Sequence, residues 1–187
     1  SITPINCIYS HYTEAPQMVK TNASDCDAIL LTGTSPYFAA KKFIDPDIIS
    51  DYLPRSIHAL LYACLIAEHS HCSITNISLD SYTEKDIYTV YDEIGIPCEQ
   101  TNVFFVQRDV MGQEFERIVR QHEQYYLKQK VSCCLTALHS VWVELRKRNV
   151  PSVYIASTYE IIAETLHKLE LNYIFKFTQR NNLVVLQ

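Results

Sequence analysis

Serine, threonine, histidine and arginine side chains occur at matching places in two stretches of the sequence, where they could bind a ligand. Hydroxyl and imidazole groups form directional hydrogen bonds, and a guanidinium can pair with a carboxylate or phosphate through two parallel hydrogen bonds. We therefore predict a site for a small polar or anionic molecule. Each Ser or Thr could instead be an ordinary helix N-cap, and the arginine could simply be solvated. The candidates are Thr32, Thr34, Ser35, Arg55 and Ser56 in the first stretch, and Thr136, His139, Ser140, Ser157 and Thr158 in the second.

Patterns typical of catalysis or metal binding are weak. The segment His69–Cys72 has histidines at i, i+2 spacing, which closes no standard zinc site and is more typical of a helix C-terminus. Cys134 and His139 could form a nucleophile–base pair, but Cys134 lies in an apolar run that favours an inert core thiol. Asp27 precedes a predicted strand and Asp80 ends one, without a spacing that pairs them for acid–base work. We expect no catalytic residue, metal or cofactor.

The composition argues against several other classes of function. Only three glycines occur among 187 residues, so neither a G-x-G-x-x-G nor a Walker A loop is present. The net charge is −5, and no basic face for direct nucleic-acid binding is evident. The longest apolar run, Ala59 to Ala67, is too short to span a membrane. The seven cysteines form no C-x-x-C pair, which favours a reduced, cytoplasmic chain with buried thiols.

Short apolar runs alternate with helical patterns, which predicts strands joined by right-handed helical crossovers into mostly parallel sheets. Thr83 is a predicted helix N-cap, and Gly95 and Asn149 are predicted helix ends. The predicted strands are 5–9, 28–31, 73–79, 102–106, 132–135, 152–155, 173–177 and 183–186, and the predicted helices are 14–21, 36–43, 55–68, 84–94, 113–129, 138–148 and 159–169.

An internal repeat positions the candidate residues. Leu31-Thr32 matches Leu135-Thr136 at a spacing of 104 residues, and residues 52–56 match residues 154–158 at a spacing of 102. Each copy reads strand, Leu-Thr, helix, strand, polar turn, helix. Ligands of such sheets bind beyond the carboxyl ends of the strands, so the two sets are expected to face each other across a cleft. The alternative is that any two βαβ units resemble each other.

We predict an α/β protein with two flavodoxin-like lobes and mostly parallel sheets around a central cleft. The first lobe is expected over residues 1–72, with 171–187 as a candidate completion, and the second over residues 73–170. The chain begins without methionine and ends inside a predicted strand, so we expect an excised piece of a longer protein. The alternative is a complete small protein whose last strand closes a sheet.

Two segments, DAILLTGTSPYFAAKK and CCLTALHSVWVELRKRNVPSVYIASTYEIIAETLHKL, resemble the effector-sensing domains of bacterial transcription regulators, most nearly the PrpR N-terminal receptor type. The resemblance implies a cytoplasmic sensor whose small-molecule effector acts on a separate output domain, with Thr136, His139, Ser157 and Thr158 lining the pocket. DNA would be contacted only through a domain absent from this chain, and a homodimer is a further expectation. Ala137 stands where such turns commonly have glycine, so the resemblance does not identify the ligand of this chain.

A second resemblance is to the aspartate/glutamate racemases, which are also pseudo-symmetric two-lobed proteins. Residues 133–136 are similar to one of the cysteine motifs of these enzymes, but residues 30–32, their counterpart in the first stretch, contain no cysteine. Two-base racemisation needs an acid and a base on opposite faces of the substrate carbon. A cysteine-dependent amino-acid racemase-like enzyme is therefore kept as the alternative, and a non-catalytic sensor is favoured.

Overall fold

The computed structural model describes residues 3–106 and 114–180, in which helices alternate with strands. None of the helices in these two ranges combines the length and apolar character that a membrane span requires. The helices are α1 (Ala15–Asn22), α2 (Thr34–Ala40), α3 (Ile57–His69), α4 (Glu84–Glu93), α5 (Glu114–Leu127), α6 (His139–Lys147) and α7 (Tyr159–Arg180). The strands are β1 (Ala28–Leu31), β2 (Ile49–Tyr52), β3 (Asn76–Leu79), β4 (Asn102–Phe105), β5 (Cys133–Thr136) and β6 (Ser152–Tyr154).

The chain divides into two compact units, and it passes from the first into the second and then returns. Residues 1–55 and 157–187 form the first unit, and residues 56–156 form the second. The sequence-based boundaries after residues 72 and 170 differ from this division by about one helix at each crossing. The reason is packing: α3 contacts α4 and β6, whereas α7 contacts β1 and β2.

The second unit is a four-stranded parallel sheet between two helical layers. Its strand order is β4-β3-β5-β6, a flavodoxin-type order in which the first strand lies between the second and the third. Alternate residues of a strand point to opposite faces. Ile77 and Leu135 accordingly pack with α3 and α4, whereas Cys134 packs with α5 and α6. The α/β fold class with mostly parallel sheets, predicted from the alternation of strands and helices, is confirmed.

One arginine joins the two helices of the α5–α6 layer. The guanidinium of Arg148, which directly follows α6, lies 3.0 Å from the carboxylates of Glu123 and Glu144 and 3.5 Å from that of Glu116. Glu116 and Glu123 are on α5, and Glu144 is on α6. Single ion pairs near the surface contribute little, but a network centred on one guanidinium orients both helices.

The first unit has a smaller parallel sheet and the longest of the helices given above. β1 and β2 pair with Leu31 opposite Tyr52. Leu31 is buried in a core with small side chains of α1 and α2. α7 lies against the strands, and the ammonium of Lys168 pairs with the carboxylate of Asp51 at 2.7 Å. The unit is therefore completed by a helix from the far end of the chain.

The predicted helix boundaries at three residues are confirmed. Thr83 caps α4, because its hydroxyl accepts a hydrogen bond from the Asp86 N–H at 3.3 Å while its own N–H donates to the Asp86 carboxylate at 2.7 Å. Gly95, after α4, has a φ of 75°, and Asn149, after α6, has a φ of 57°. Both lie in the left-handed region in which helices commonly end.

Two of the predicted strands are wrong. Residues 5–9 pair with no strand among the described residues, and Ile8 is 88% exposed. Residues 173–177 continue α7, because no glycine or proline interrupts the sequence from Tyr159 to Arg180. β2 lies outside the predicted strand ranges, although the repeat requires a strand there. The strand predicted at 183–186 lies outside the described residues.

Replacing Gly95 by alanine is expected to destabilise the second unit by about 1 kcal/mol, because an L-residue is strained in the left-handed region. The added Cβ itself would meet open space. Gly33→Ala is the matched control, since its φ of 166° is extended and its Cβ also meets open space. Urea unfolding followed by circular dichroism should separate the two variants. Equal losses in both would contradict the assignment of the effect to backbone strain.

Candidate functional site

The carboxyl ends of β3 and β5 meet in the middle of the second unit's sheet. β3 lies between β4 and β5, so the chain places β4 on one side of β3 and the next strand, β5, on the other side. In open α/β sheets a crevice forms outside the carboxyl ends of the strands at such a position, and ligands bind there. Asp80 directly follows β3. Thr136 is the last residue of β5, and Ala137 follows it. We call this region the carboxyl-end edge.

Asp80 is a buried carboxylate that has several hydrogen-bond partners. It is 1% exposed. Its Oδ1 accepts hydrogen bonds from the Ser81 hydroxyl at 2.5 Å and from the Ala137 N–H at 3.3 Å. Its Oδ2 lies 3.1 Å from Nε2 of His122, and its backbone N–H donates to the Leu135 carbonyl at 3.3 Å. Because a buried carboxylate without partners is strongly penalised, Asp80 ties the ends of β3 and β5 together.

His122, on α5, supplies the opposite charge. Its imidazole is fully buried, with Nδ1 2.7 Å from the Ser78 hydroxyl and Nε2 3.1 Å from Asp80. Burial alone would lower the pKa of His122, but the hydrogen bond and charge of Asp80, together with the neighbouring Cys134, outweigh burial and raise this pKa to about 9. Burial would likewise raise the pKa of Asp80, but the hydrogen bond and charge of His122, together with the hydrogen bonds of Ser81 and Thr136, lower it instead. The pair is therefore ionised at neutral pH.

The order of contacts Ser78–His122–Asp80 matches a serine-hydrolase triad, but the role of these residues is structural. Ser78 and His122 are 0% exposed, so no substrate can reach the Ser78 hydroxyl. A protonated imidazole also cannot act as a general base. The three side chains instead hold α5 against the carboxyl-end edge.

This pair is absent from the candidates that the sequence analysis selects. Asp80 is identified there only as the end of a strand, and His122 lies within the predicted helix 113–129. A usable signal does exist in the sequence. Ser78 and Asp80 stand at i, i+2 and thus on one face of the strand, and His122 interrupts the apolar face of α5.

Two of the candidate threonines bind nearby backbone groups. The buried hydroxyl of Thr136 accepts a hydrogen bond from the Leu138 N–H at 3.1 Å, and that of Thr158 accepts one from the Ile161 N–H at 3.4 Å at the start of α7. The Thr158 contact agrees with the helix-cap alternative, whereas the Thr136 contact lies within the turn before α6, whose N-cap is Leu138. Ser157 precedes Thr158, and both residues belong to the first unit.

The candidates at the start of α6 stand beside aromatic rings. His139 is exposed and Ser140 is half-buried. The imidazole centroid of His139 lies 5.5 Å from the ring of Trp142 and 5.3 Å from that of Tyr154. The rings of Trp142 and Tyr154 are 6.1 Å apart. The carboxyl-end edge therefore combines buried polar side chains with a group of neighbouring rings, His139, Trp142 and Tyr154, which we call the aromatic rim.

In the first unit, three candidates lie beyond the carboxyl end of β1. The Thr32 hydroxyl is 2.8 Å from the hydroxyl of Tyr9, and residues 34–35 begin α2. Arg55 is exposed at the last position before the chain enters the second unit, and Ser56 precedes α3. The structure thus groups Thr32 with residues 34–35 at one strand end. The roles of all ten candidates as ligand contacts stay a prediction.

The surroundings of Cys134 are those of a core thiol. It is fully buried, and its thiol donates to the backbone carbonyl of His122 at 3.8 Å. A cysteine nucleophile needs an accessible thiolate, so Cys134 lends the racemase-like alternative no support. Within residues 3–106 and 114–180, no group of three or more His, Cys, Asp or Glu side chains is arranged to hold a metal ion.

Comparison with known proteins identifies a shared fold. No protein-family model and no curated protein sequence matches this chain. The chain is similar to the crystal structure of an NtrC family transcriptional regulator from Clostridium acetobutylicum, with a TM-score of 0.58 and 14% sequence identity over 88% of this chain and 80% of that chain. At this identity the likeness shows the fold alone. The predicted resemblance to a bacterial transcription regulator is confirmed at the level of the fold.

Replacing His122 by leucine is expected to destabilise the second unit by about 3–5 kcal/mol, because the substitution leaves Asp80 buried without its counter-charge. Adding Asp80→Asn to this variant should recover part of the loss, since no uncompensated charge then remains. His167→Leu is the control, because the His167 side chain is 69% exposed. Chemical unfolding measures all three effects. A loss for His122→Leu no larger than that for His167→Leu would contradict the buried pair.

The contribution of His122 to stability should depend on pH. The folded state holds the His122 proton with a pKa of about 9, above the ordinary value of about 6.5 in an unfolded chain. Its contribution is therefore complete below about pH 6.5 and is lost as the pH rises towards 9. The contribution of Asp80, whose pKa is lowered, is lost only as the solution becomes acidic. The difference in unfolding free energy between the native chain and His122→Leu should shrink between pH 6 and pH 9. A constant difference would refute a protonated His122.

Proposed function

We propose that this chain is the ligand-sensing region of a bacterial, cytoplasmic transcription regulator and that it binds a small polar or anionic metabolite without chemical turnover. The observation that carries this proposal is the fold shared with the NtrC family regulator over 88% of the chain. The net charge of −5 supports contact with DNA through another domain rather than through this one.

The carboxyl-end edge is the proposed ligand site of the second unit. His139 and Ser140 offer hydrogen-bonding side chains at the start of α6, and Trp142 and Tyr154 offer aromatic surface. Small-molecule sites typically combine apolar or aromatic walls with a few polar groups that fix orientation. Because His122 neutralises Asp80, the buried carboxylate does not repel an anionic ligand.

In the first unit, Arg55 is the proposed partner of an anionic group on the ligand. Its exposed guanidinium lies where the chain leaves β2 for α3, and a charge-assisted bond there would exceed a neutral one in strength. Thr32, Thr34 and Ser35 remain the proposed neutral contacts of this unit, and Ser56, the first residue of the second unit, is the proposed neutral contact next to Arg55. That the candidates of both units share one ligand stays a prediction of the sequence repeat.

The hydrogen bonds at the carboxyl-end edge suggest how binding could be transmitted. Ala137, in the turn between β5 and α6, donates to Asp80, and Asp80 binds His122 on α5. A ligand that stabilises one arrangement of this turn therefore favours one position of α5 through two hydrogen bonds. Ligands regulate by shifting such equilibria in proportion to their differential affinity for the two states.

The proposal predicts ligand-induced stabilisation. The melting temperature of the chain is measured against a panel of carboxylates, phosphate esters and amino acids, since a ligand that binds only the folded state raises apparent stability. We expect at least one compound to raise it while remaining chemically unchanged. Product formation that is lost in Cys134→Ser would instead favour the racemase-like enzyme, and a panel of such anions without any effect would refute the proposed ligand class.

Each proposed contact is tested with a matched variant. Arg55→Ala should weaken an anionic ligand by about 1.5–3 kcal/mol, whereas Arg120→Ala, whose side chain is 70% exposed on α5, should not. His139→Ala should weaken the same ligand, and His167→Ala should not. Unchanged affinity in Arg55→Ala or His139→Ala removes that residue from the site.

A further inference from the structure

Helix α3 is apolar on every side, although one side is exposed. Among its 13 residues, the charged or imidazole side chains are His58, Glu68 and His69. A helix that is apolar all round is normally buried all round. One side of α3 does lie in the core, where Leu60 and Cys64 are 0% exposed. The opposite side exposes half of each large side chain: Tyr62 50%, Leu65 53% and Ile66 52%.

The exposed residues follow the spacing of a helix-pairing seam. Residues 58, 62, 65 and 69 are separated by four, three and four positions, which is the alternation that two packed helices use. Ile66 lies beside this seam. We call the five residues the α3 stripe: His58, Tyr62, Leu65, Ile66 and His69.

The spacing of the seam is the same in both directions, and an imidazole stands at each end. Reversing the direction of the helix exchanges Tyr62 with Leu65 and His58 with His69, so an antiparallel copy places the ring of Tyr62 opposite Leu65 twice. Two identical helices that lie antiparallel about a twofold axis meet through a self-complementary surface of this kind. We propose that a second copy of this chain binds the α3 stripe, with the two α3 helices antiparallel.

The chemistry of the stripe favours a second copy over a different partner. The stripe contains no carboxylate, lysine or arginine that would select an oppositely charged surface. Glu68, next to it, already accepts a hydrogen bond from the Ile74 N–H at 2.8 Å. In the antiparallel pair, Tyr62 of each copy lies opposite Leu65 of the other copy, so an aromatic ring packs against an aliphatic side chain twice. An imidazole lies at either end of the pair.

The size of the stripe sets the strength of the dimer. A stable interface commonly buries about 800 Å² on each partner, and one face of a 13-residue helix offers less. The dissociation constant should therefore lie at about tens of micromolar or above. The stripe shares no residue with the proposed ligand contacts, so the dimer and the sensor function succeed or fail independently.

Sedimentation equilibrium of the 187-residue chain from about 5 to 500 μM tests the proposal. The native chain should show a reversible monomer–dimer equilibrium, and Leu65→Lys and Tyr62→Glu should each raise the dissociation constant at least about tenfold. Leu171→Lys is the matched control, because Leu171 on α7 is also 53% exposed. A chain that stays monomeric throughout, unchanged association in both stripe variants, or weakening by Leu171→Lys alone would overturn the proposal.

Cross-linking tests the antiparallel register. His58→Cys and His69→Cys are prepared as separate variants, mixed and oxidised, and the linked peptides are identified by mass spectrometry. The mixture should yield a link between positions 58 and 69, which lie too far apart on one helix, about 16 Å, to join within a chain. A link between two copies of position 58 would indicate parallel pairing and overturn the proposed geometry.

Discussion

A carboxylate can remain ionised inside a protein only if other groups replace the water it has lost, and Asp80 imposes this condition on the second unit. Its partners come from three elements: Ser81 after β3, Ala137 after β5, and His122 on α5. The turn that starts α6 is therefore fixed by the same group that fixes α5. The position of His139 and of the aromatic rim follows from that turn.

Local sequence patterns predict the helices and strands far better than they predict the Asp80–His122 pair that organises them. Apolar runs locate β3, β5 and β6 because strands buried on both faces have nearly continuous apolar sequences. Aromatic and β-branched residues misled the prediction at 173–177, where an uninterrupted helical segment prevails. The Asp80–His122 contact joins residues 42 positions apart, and no local periodicity reports a contact that only the folded sheet creates.

The predicted repeat is visible as the order of elements. β1-α2-β2-α3 and β5-α6-β6-α7 follow the same order, and each pair of strands is parallel. The last helix of each copy belongs to the other unit: α3 to the second and α7 to the first. The predicted boundaries, which close each lobe with its own last helix, therefore differ from this division at both crossings. Thr32 and Thr136 come at equivalent strand ends, which is the part of the repeat that bears on ligand binding.

This exchange of helices has a consequence for biosynthesis. The second unit is continuous in sequence, so a ribosome that has released residue 156 has delivered every segment that this unit needs. The first unit is different, because β1 and β2 emerge early while α7, which covers them, is made last. Domains generally fold as units during synthesis. The side of these strands that α7 covers must therefore stay unshielded for about a hundred further codons before this closing helix arrives.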